Sequence, residues 1–476
     1  MNPAPLTQLF LASTPLEVVF LAAGIDSGAY DSCVQPALIR SSDDPEPIAE
    51  PIRRVLLLSD NAEILEQATP LHAAPGLTPM FTRFDDVVTL NVAIAPAHPN
   101  TWKPREEDLQ VFERLLRSHW QLGESRVELV LESPQVNPAI ALARIFGSAL
   151  IRVSADGLMS YGPTRSKLPL SMKQRMTSLH YVSLVDDLEP RLLHETGIVP
   201  LPLPVDALRN AIAEVGAGAA DLITSAVDGL DGPESGLVIG QYCASLGLIS
   251  ENEETELHCQ MADSAAAEGC RTIAFKPHPA APAASISALR DHVEARGLKF
   301  VQLDCPVIAE AIIAALQPRV LVSAFSTSLV LADRLFSTTT RAVGTRLLLE
   351  RLSPYQNSNR VPLTIIDLLT HPTNGIAMQQ LIDAVSYCMQ AQLLPSFRDR
   401  TAAFLRDLSE EARSVYFKRR RLTVLDLPGR LPERHRARTV IRQSGRLGAG
   451  YLVYRTKRVL RRVRVARARS GEGRRG

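Results

Sequence analysis

Cysteine is scarce in this chain and long uninterrupted apolar runs are missing, and each shortage removes a class of protein. The six cysteines among 476 residues (Cys33, Cys243, Cys259, Cys270, Cys305, Cys388) include no Cys-x-x-Cys pair. Zinc sites and disulfide scaffolds need thiols at close, regular spacing, so neither is expected. Scattered single thiols are instead expected to act as small buried hydrophobes in a reducing cytosol. The apolar stretch Leu9 to Ile25 is broken by Pro15 and Glu17, and no basic segment precedes it. A membrane span needs about 20 apolar residues in a row, and a secretory signal needs a positive flank. The stretch reads as neither, and the body of the protein is expected in the cytoplasm. No repeat of fixed period is present.

At about 100–200 residues per domain, a chain of this length predicts two or three domains. Its formal charge of +1 conceals an asymmetry. Residues 418–476 carry 20 Lys+Arg against 3 Asp+Glu, whereas residues 1–417 carry 32 against 48. An acidic body and a basic tail call for separate explanations.

Strand-like apolar runs alternate with helical stretches through the first half. The strands are expected at Leu9–Ala12, Val55–Ser59, Asp86–Val92, Val127–Leu131 and Leu150–Val153. The helices are expected at Arg105–Gln121 and Asn137–Phe146, with Ser41–Pro51 a surface loop. From Pro200 to Gly236 the chain is rich in Ala, Gly, Asp and Pro, with a helix expected over Val205–Val215. A second series opens at Gly236-Leu237-Val238-Ile239-Gly240-Gln241. It continues with a helix near Glu253–Gly269, a strand ending at Phe275, a helix Ala283–Arg296, a strand Lys299–Leu303, a helix Val307–Leu316 and a strand Val320–Ser323. Such alternation implies parallel sheets covered by helices. The fold class is therefore α/β, with two Rossmann-like doubly wound domains facing each other across a cleft. The expected boundaries are 1–200, a crossing at 201–235, 236–417, and a basic tail at 418–476.

Three places carry chemistry. In Phe275-Lys276-Pro277-His278-Pro279, prolines hold a lysine and a histidine on a stiff loop after a buried strand. Ligands of open α/β sheets bind beyond the carboxyl ends of the strands, and this pair suits an anion such as phosphate. His-Pro is, by itself, also an ordinary turn. In Ser323-Ala324-Phe325-Ser326-Thr327-Ser328 a strand runs into a helix start with Ser326 as N-cap. Free N–H groups, the helix dipole and hydroxyl donors converge there, although the same hydroxyls could serve only as a cap. In Ser154-Ala155-Asp156-Gly157, Asp156 follows a strand and faces the cleft. Partial burial would raise its pKa and fit it to accept a hydroxyl proton; Asp-Gly is equally a common turn pair.

Taken in order, these motifs resemble those of the bacterial sialyltransferases, in particular the capsular alpha-2,8-polysialyltransferase and lipooligosaccharide sialyltransferase families. An (Asp/Glu)-(Asp/Glu)-Gly motif is matched by Ala155-Asp156-Gly157, a His-Pro motif by His278-Pro279, and a Ser/Thr motif by Ser326-Thr327-Ser328. Ser160-Tyr161, Lys276-Pro277 and Ser13-Thr14-Pro15-Leu16 agree as context, and the similarity spans about residues 5–350. The first acidic position is Ala155 here, which leaves Asp156 in place but changes its surroundings. The resemblance implies a GT-B-type, inverting, metal-independent glycosyltransferase with a CMP-activated nonulosonic acid as donor substrate and no cofactor. The first domain would then take the glycan or glycolipid acceptor and the second the nucleotide sugar. Asp156 would deprotonate the acceptor, and His278 would assist the departing CMP phosphate. Ser326, Thr327 and Ser328 would hold that phosphate with Lys276 and Pro279, and Gly240 and Gln241 would lie beside the donor. Neither Asp85-Asp86 nor Asp186-Asp187 is flanked by further oxygen ligands that demand a cation.

Arg434 to Arg469 interleaves arginines with Val, Leu, Tyr and Ala, including Tyr451-Leu452-Val453-Tyr454. A helix with one apolar and one cationic side suits an anionic membrane surface, where each basic residue is worth about 1 kcal/mol. The enzyme is accordingly expected at the inner face of the cell membrane as a peripheral protein. A solvated tail is the alternative. Specific nucleic-acid binding is not expected, because the body is acidic and the tail lacks a stacking motif. Two other functions fit the same features: a polyol-phosphate transferase working from a CDP-alcohol, and an inactive glycan- or membrane-binding protein that keeps the fold.

Overall fold

The apolar runs fold into strands that lie parallel and buried, as strands covered on both faces by helices must. The computed structural model describes residues 5–432 apart from 63–68, 242, 279–282 and 373–375. Two compact units are formed, Met1–Phe397 and Arg398–Gly476, and both large sheets lie in the first. The strands are β1 (Leu6–Ala12), β2 (Ser32–Cys33), β3 (Glu46–Pro47), β4 (Ile52–Leu58), β5 (Asp86–Thr89), β6 (Arg126–Leu131), β7 (Leu150–Ala155), β8 (Met176–Val182), β9 (Val199–Leu203), β10 (Ser235–Ile239), β11 (Thr272–Lys276), β12 (Lys299–Gln302), β13 (Val320–Ser323) and β14 (Thr340–Ala342).

The first sheet has the order β5-β4-β1-β6-β7-β8-β9 and the second β12-β11-β10-β13-β14, while β2 and β3 make a small antiparallel pair. Every pairing within the two large sheets is parallel. In each sheet the chain starts at a central strand, winds to one edge, then returns and winds to the other. That is the doubly wound pattern, with its switch point between β1 and β6 in one sheet and between β10 and β13 in the other. The expected fold class of two Rossmann-like sheets is therefore present.

All seven residues of β1 are buried, and the apolar side chains Leu9, Leu11, Val55, Leu57, Leu129, Leu131, Ile151 and Val153 share one core. Several polar groups inside this sheet are paired with one another. Gln8 Nε2 donates to Glu128 Oε2 at 2.9 Å, and Arg152 Nε lies 2.9 Å from Glu128 Oε1. The Arg152–Glu128 pair lowers the cost of burying both charges, while Gln8 Oε1 and Arg152 Nη2 have no hydrogen-bond partner among the described residues.

Two strands absent from the sequence reading complete the first sheet. β8 carries Thr177, Ser178 and His180 in buried positions, and β9 carries Pro200 and Pro202 at the sheet edge, where missing N–H donors cost nothing. The expected strand Asp86–Val92 ends at Thr89, and Leu90–Ile94 is helical. Beyond the second sheet the chain returns to the first: Arg191 Nε pairs with Asp383 Oδ1 at 2.5 Å, and Gln390 Nε2 donates to the Arg165 carbonyl at 2.7 Å. Of the cysteines, all free, Cys33 is half-buried and the other five are buried, as small hydrophobes would be. In the second unit the described residues form helices Arg398–Asp407, Glu410–Tyr416 and Arg419–Val424. The basic segment 434–469 lies outside the described residues.

Candidate active site

At the switch point of the first sheet, Ser13 follows β1 and Glu132 follows β6. Glu132 accepts hydrogen bonds from the Ser13 backbone N–H at 3.1 Å and from the Ser13 hydroxyl. The helix Pro15–Asp26 starts here because Thr14 caps it, its Oγ1 accepting from Glu17 N at 3.1 Å, and because Pro15 suits the first turn. That turn directs Glu17 inward, where it is 2% exposed and accepts from the Ser154 hydroxyl of β7. Two residues beyond Ser154 stands Asp156, half-buried at the end of β7.

Three carboxyl groups thus crowd one sheet mouth. Burial, then the charges of Asp156 and Glu132, drives the Glu17 pKa well above the usual carboxyl range. Burial lifts Glu132 to about 7, although its Ser13 bonds oppose the rise, and Asp156 adds to it. Asp156 rises to about 6, chiefly by burial, with a backbone N–H opposing and the charge of Glu310 assisting. A carboxyl poised near 6 is ionised at neutral pH yet basic enough to take a proton.

The second sheet supplies the other wall. Lys276 ends β11, and its ammonium donates to the Cys305 carbonyl at 2.5 Å. His278 is half-buried, and burial lowers its pKa from the usual histidine value, which favours the neutral imidazole. Gly240, after β10, donates its N–H to the Lys276 carbonyl at 2.9 Å. A Cβ there would meet Phe275 Cζ at 3.0 Å and the His278 backbone N at 3.1 Å, so a side chain would push the Lys-Pro-His loop away. Gln241 ties β10 to β13 by donating to Ser323 Oγ at 2.7 Å. Its N–H is accepted by His258 Nε2 at 3.0 Å, and burial holds His258 neutral, with a pKa of about 4. Pro279 lies outside the described residues.

Ser326 is the N-cap of helix Thr327–Phe336, its Oγ accepting from Ser328 N at 3.2 Å. The Ser328 hydroxyl donates to Glu310 Oε1 at 2.8 Å and is nearly buried. Thr327 packs against the loop after β7: its Oγ1 lies 3.5 Å from Leu158 N and would be 2.9 Å from a Cβ on Gly157. The Asp156-Gly157 loop and the Ser-Thr-Ser helix start, 169 residues apart in sequence, are therefore packed against each other. Gly240, Lys276 and His278 gather around the end of β11, and the Lys276 charge reaches Glu310 beneath Ser328.

Three acids in this site were not singled out from the sequence: Glu17, Glu132 and Glu310. Glu132 follows an apolar strand directly, which is the same signal that marked Asp156. Beside Asp156 a cavity of about 160 Å³ is lined by Glu132, Gln135, Ser160 and Arg165, among others. A wider depression of about 470 Å³ near Arg114 and Arg117 adjoins the start of β6, at the opposite end of the sheet. Among the described residues no group of three or more His, Cys, Asp or Glu side chains is arranged to hold a metal ion.

The sequence model of the alpha-2,8-polysialyltransferase family matches residues 8–345 of the chain. No curated protein sequence matches it. Among solved structures, the GT-B domain of a sialyltransferase from Photobacterium damselae aligns with a TM-score of 0.39 and 9% identity, over 77% of this chain and 97% of that one. UDP-GlcNAc 2-epimerase from Methanocaldococcus jannaschii aligns with a TM-score of 0.42 and 8% identity, over 80% and 99%.

Proposed function

Because the chain belongs to the alpha-2,8-polysialyltransferase family, and so is a glycosyltransferase, we propose that it moves a sialic-acid-like sugar from a CMP-activated donor to a glycan acceptor. The transfer inverts the anomeric carbon and uses no metal ion. The observation that carries this reading is the packing of Gly157 against Thr327. It brings the Asp156 loop and the Ser326–Ser328 helix start together, which supports a base and a phosphate site acting on one bound donor.

In this mechanism the acceptor hydroxyl gives its proton to Asp156 while its oxygen attacks the anomeric carbon. The bond from that carbon to the CMP phosphate breaks, and negative charge grows on the departing oxygen. Neutral His278 donates a hydrogen bond to that charge, and Lys276 adds an ammonium. Ser326, Thr327 and Ser328 hold the phosphate at the positive end of their helix. Interactions that strengthen as charge develops lower the barrier more than uniform binding does. Gly240 keeps the histidine loop close, and Gln241 braces the two strands that carry the donor site.

Calorimetry with CMP, UMP, GDP, CDP and ADP tests the donor. Selective CMP binding, weakened by Ser326→Ala and His278→Ala, is expected. Preference for a nucleoside diphosphate overturns the CMP reading, and no nucleotide binding points to an inactive scaffold. Transfer is expected to survive EDTA; its loss, restored by a divalent cation, overturns the metal-free mechanism. We place the enzyme at an anionic membrane surface through the basic segment 434–469. Among the described residues no helix is long and apolar enough to cross a membrane.

A further inference from the structure

Glu310 is an acid for which the proposed donor site has no use. It is the second residue of helix Ala309–Leu316 and is 4% exposed, with Oε1 2.8 Å from Ser328 Oγ. The Ser326 hydroxyl donates to the same Ser328 oxygen at 3.1 Å. A serine hydroxyl has one hydrogen and two lone pairs. While Glu310 is ionised it holds that hydrogen, and Ser328 has nothing to donate to a phosphate. An ionised Glu310 also keeps a negative charge one hydroxyl away from the place an anion must enter, in a setting where charges are poorly screened.

A proton on Glu310 reverses both effects. The carboxylic acid then donates to a lone pair of Ser328 Oγ, and the Ser326 hydroxyl is free to turn from Ser328 to the phosphate. The Ser328 hydrogen is released to point at the phosphate, and the opposing charge is gone. Burial already favours the protonated acid. The charged groups whose fields reach Glu310 are Lys276 on β11, which favours ionisation, and Asp156 after β7, which opposes it. From the helices packed on its own, Val205–Gly218, Ala220–Val227 and Thr327–Phe336, only the Ser328 hydroxyl acts on it among the described residues.

We infer that Glu310 is a positioning residue that takes up a proton when the donor phosphate binds, turning the Ser328 hydroxyl from its carboxylate to the phosphate. This rests on the reading that the phosphate sits at Ser326–Ser328. The test is calorimetry of CMP with the full chain between pH 7 and 9, in buffers of different ionisation enthalpy; a phosphomonoester is largely dianionic there. The wild type is expected to take up as much as one proton per CMP and to lose up to tenfold in affinity per pH unit. Glu310→Gln, whose amide can donate to Ser328 Oγ permanently, is expected to bind CMP at least as tightly, with less proton uptake than the wild type and a shallower pH profile. Equal uptake in wild type and Glu310→Gln overturns the proposal, while the phosphate site stands if Ser326→Ala still weakens CMP. Should Glu310→Gln fail to fold, a wild-type affinity that does not change across the pH range overturns it equally. CMP binding indifferent to Ser326→Ala removes the phosphate site itself, and the role of Glu310 with it.

Discussion

Replacing Gly157 with alanine places a methyl group 2.9 Å from Thr327 Oγ1, 3.6 Å from its Cγ2 and 3.8 Å from its Cβ. The backbone at Gly157 is extended, with φ −146°, so alanine itself is unstrained there and the whole cost is steric. Overpacking of this kind costs about 1–3 kcal/mol when the neighbours cannot give. Here the neighbour is the first residue of the helix whose start is assigned to the donor phosphate. If the clash is relieved by displacing that helix start, the cost falls on donor binding, a loss of about 5- to 150-fold in CMP affinity. The assay is a double-mutant cycle with Thr327→Ala, which removes both the Oγ1 and the Cγ2 that the methyl would strike. Thr327→Ala alone gives up a 3.5 Å contact to Leu158 N and one hydroxyl at the helix start. Thermal unfolding and CMP affinity are measured for the four proteins. The Gly157→Ala penalty is expected to disappear in the Thr327→Ala background, a coupling of about 1–3 kcal/mol summed over the two readouts. Additive effects would refute the reasoning, because the two loops would then not meet as described.

Asp156→Asn is expected to leave CMP binding intact and to cut transfer by about 10²–10⁴-fold; wild-type kcat/KM should rise through pH about 6, as Asp156 ionises, and a profile without that limb argues against Asp156 as the base. Glu17→Gln addresses stability. The folded state holds a proton on Glu17 that the unfolded chain has released above about pH 4.3, so Glu17 makes the wild type lose stability as pH rises toward its elevated folded pKa. The variant is therefore expected to melt above the wild type at pH 8 and to lose that advantage near pH 4; an advantage independent of pH contradicts the assignment. Deleting residues 434–476 is expected to abolish co-sedimentation with anionic vesicles while preserving transfer to a soluble acceptor, and unchanged vesicle binding would exclude the segment as the anchor.

The parallel sheets were legible because a strand covered on both faces must be apolar along its length. The second halves of β1 and β4, Leu9–Ala12 and Val55–Leu58, and most of β10 and β13 are short, dense runs of that kind, whereas Thr7 and Gln8 hid the start of β1 and Arg53 and Arg54 the start of β4. β8 escaped because it buries polar residues that bond within the sheet, Thr177 Oγ1 donating to the Ile151 carbonyl at 3.3 Å and Ser178 pairing with His180 at 3.0 Å. β9 escaped because Pro200 and Pro202 argue against a strand everywhere except at an edge.

Within the candidate site, Asp156 could be picked out because it stands directly after a strand and Ser326 because it caps the helix that follows one, places where local pattern and position coincide. The acids that shape Asp156 could not. Glu17 looked like a residue that merely disqualified an apolar run as a membrane span, and Glu310 lay unremarked near the start of an expected helix. Their effect is a matter of distance across strands: residues 17, 132, 156 and 310 come from four separate segments that no local window contains. Yet a single carboxylate in an otherwise apolar helix is seldom there for solubility, since a buried charge costs several kcal/mol unless it is paired or protonated. For Glu17 and Glu310 the resolution is the same, a serine hydroxyl donated from an element packed beside it together with a pKa driven upward. Two buried acids with matching serine partners thus sit one behind the proposed base and one behind the proposed phosphate site, each with its pKa raised by burial.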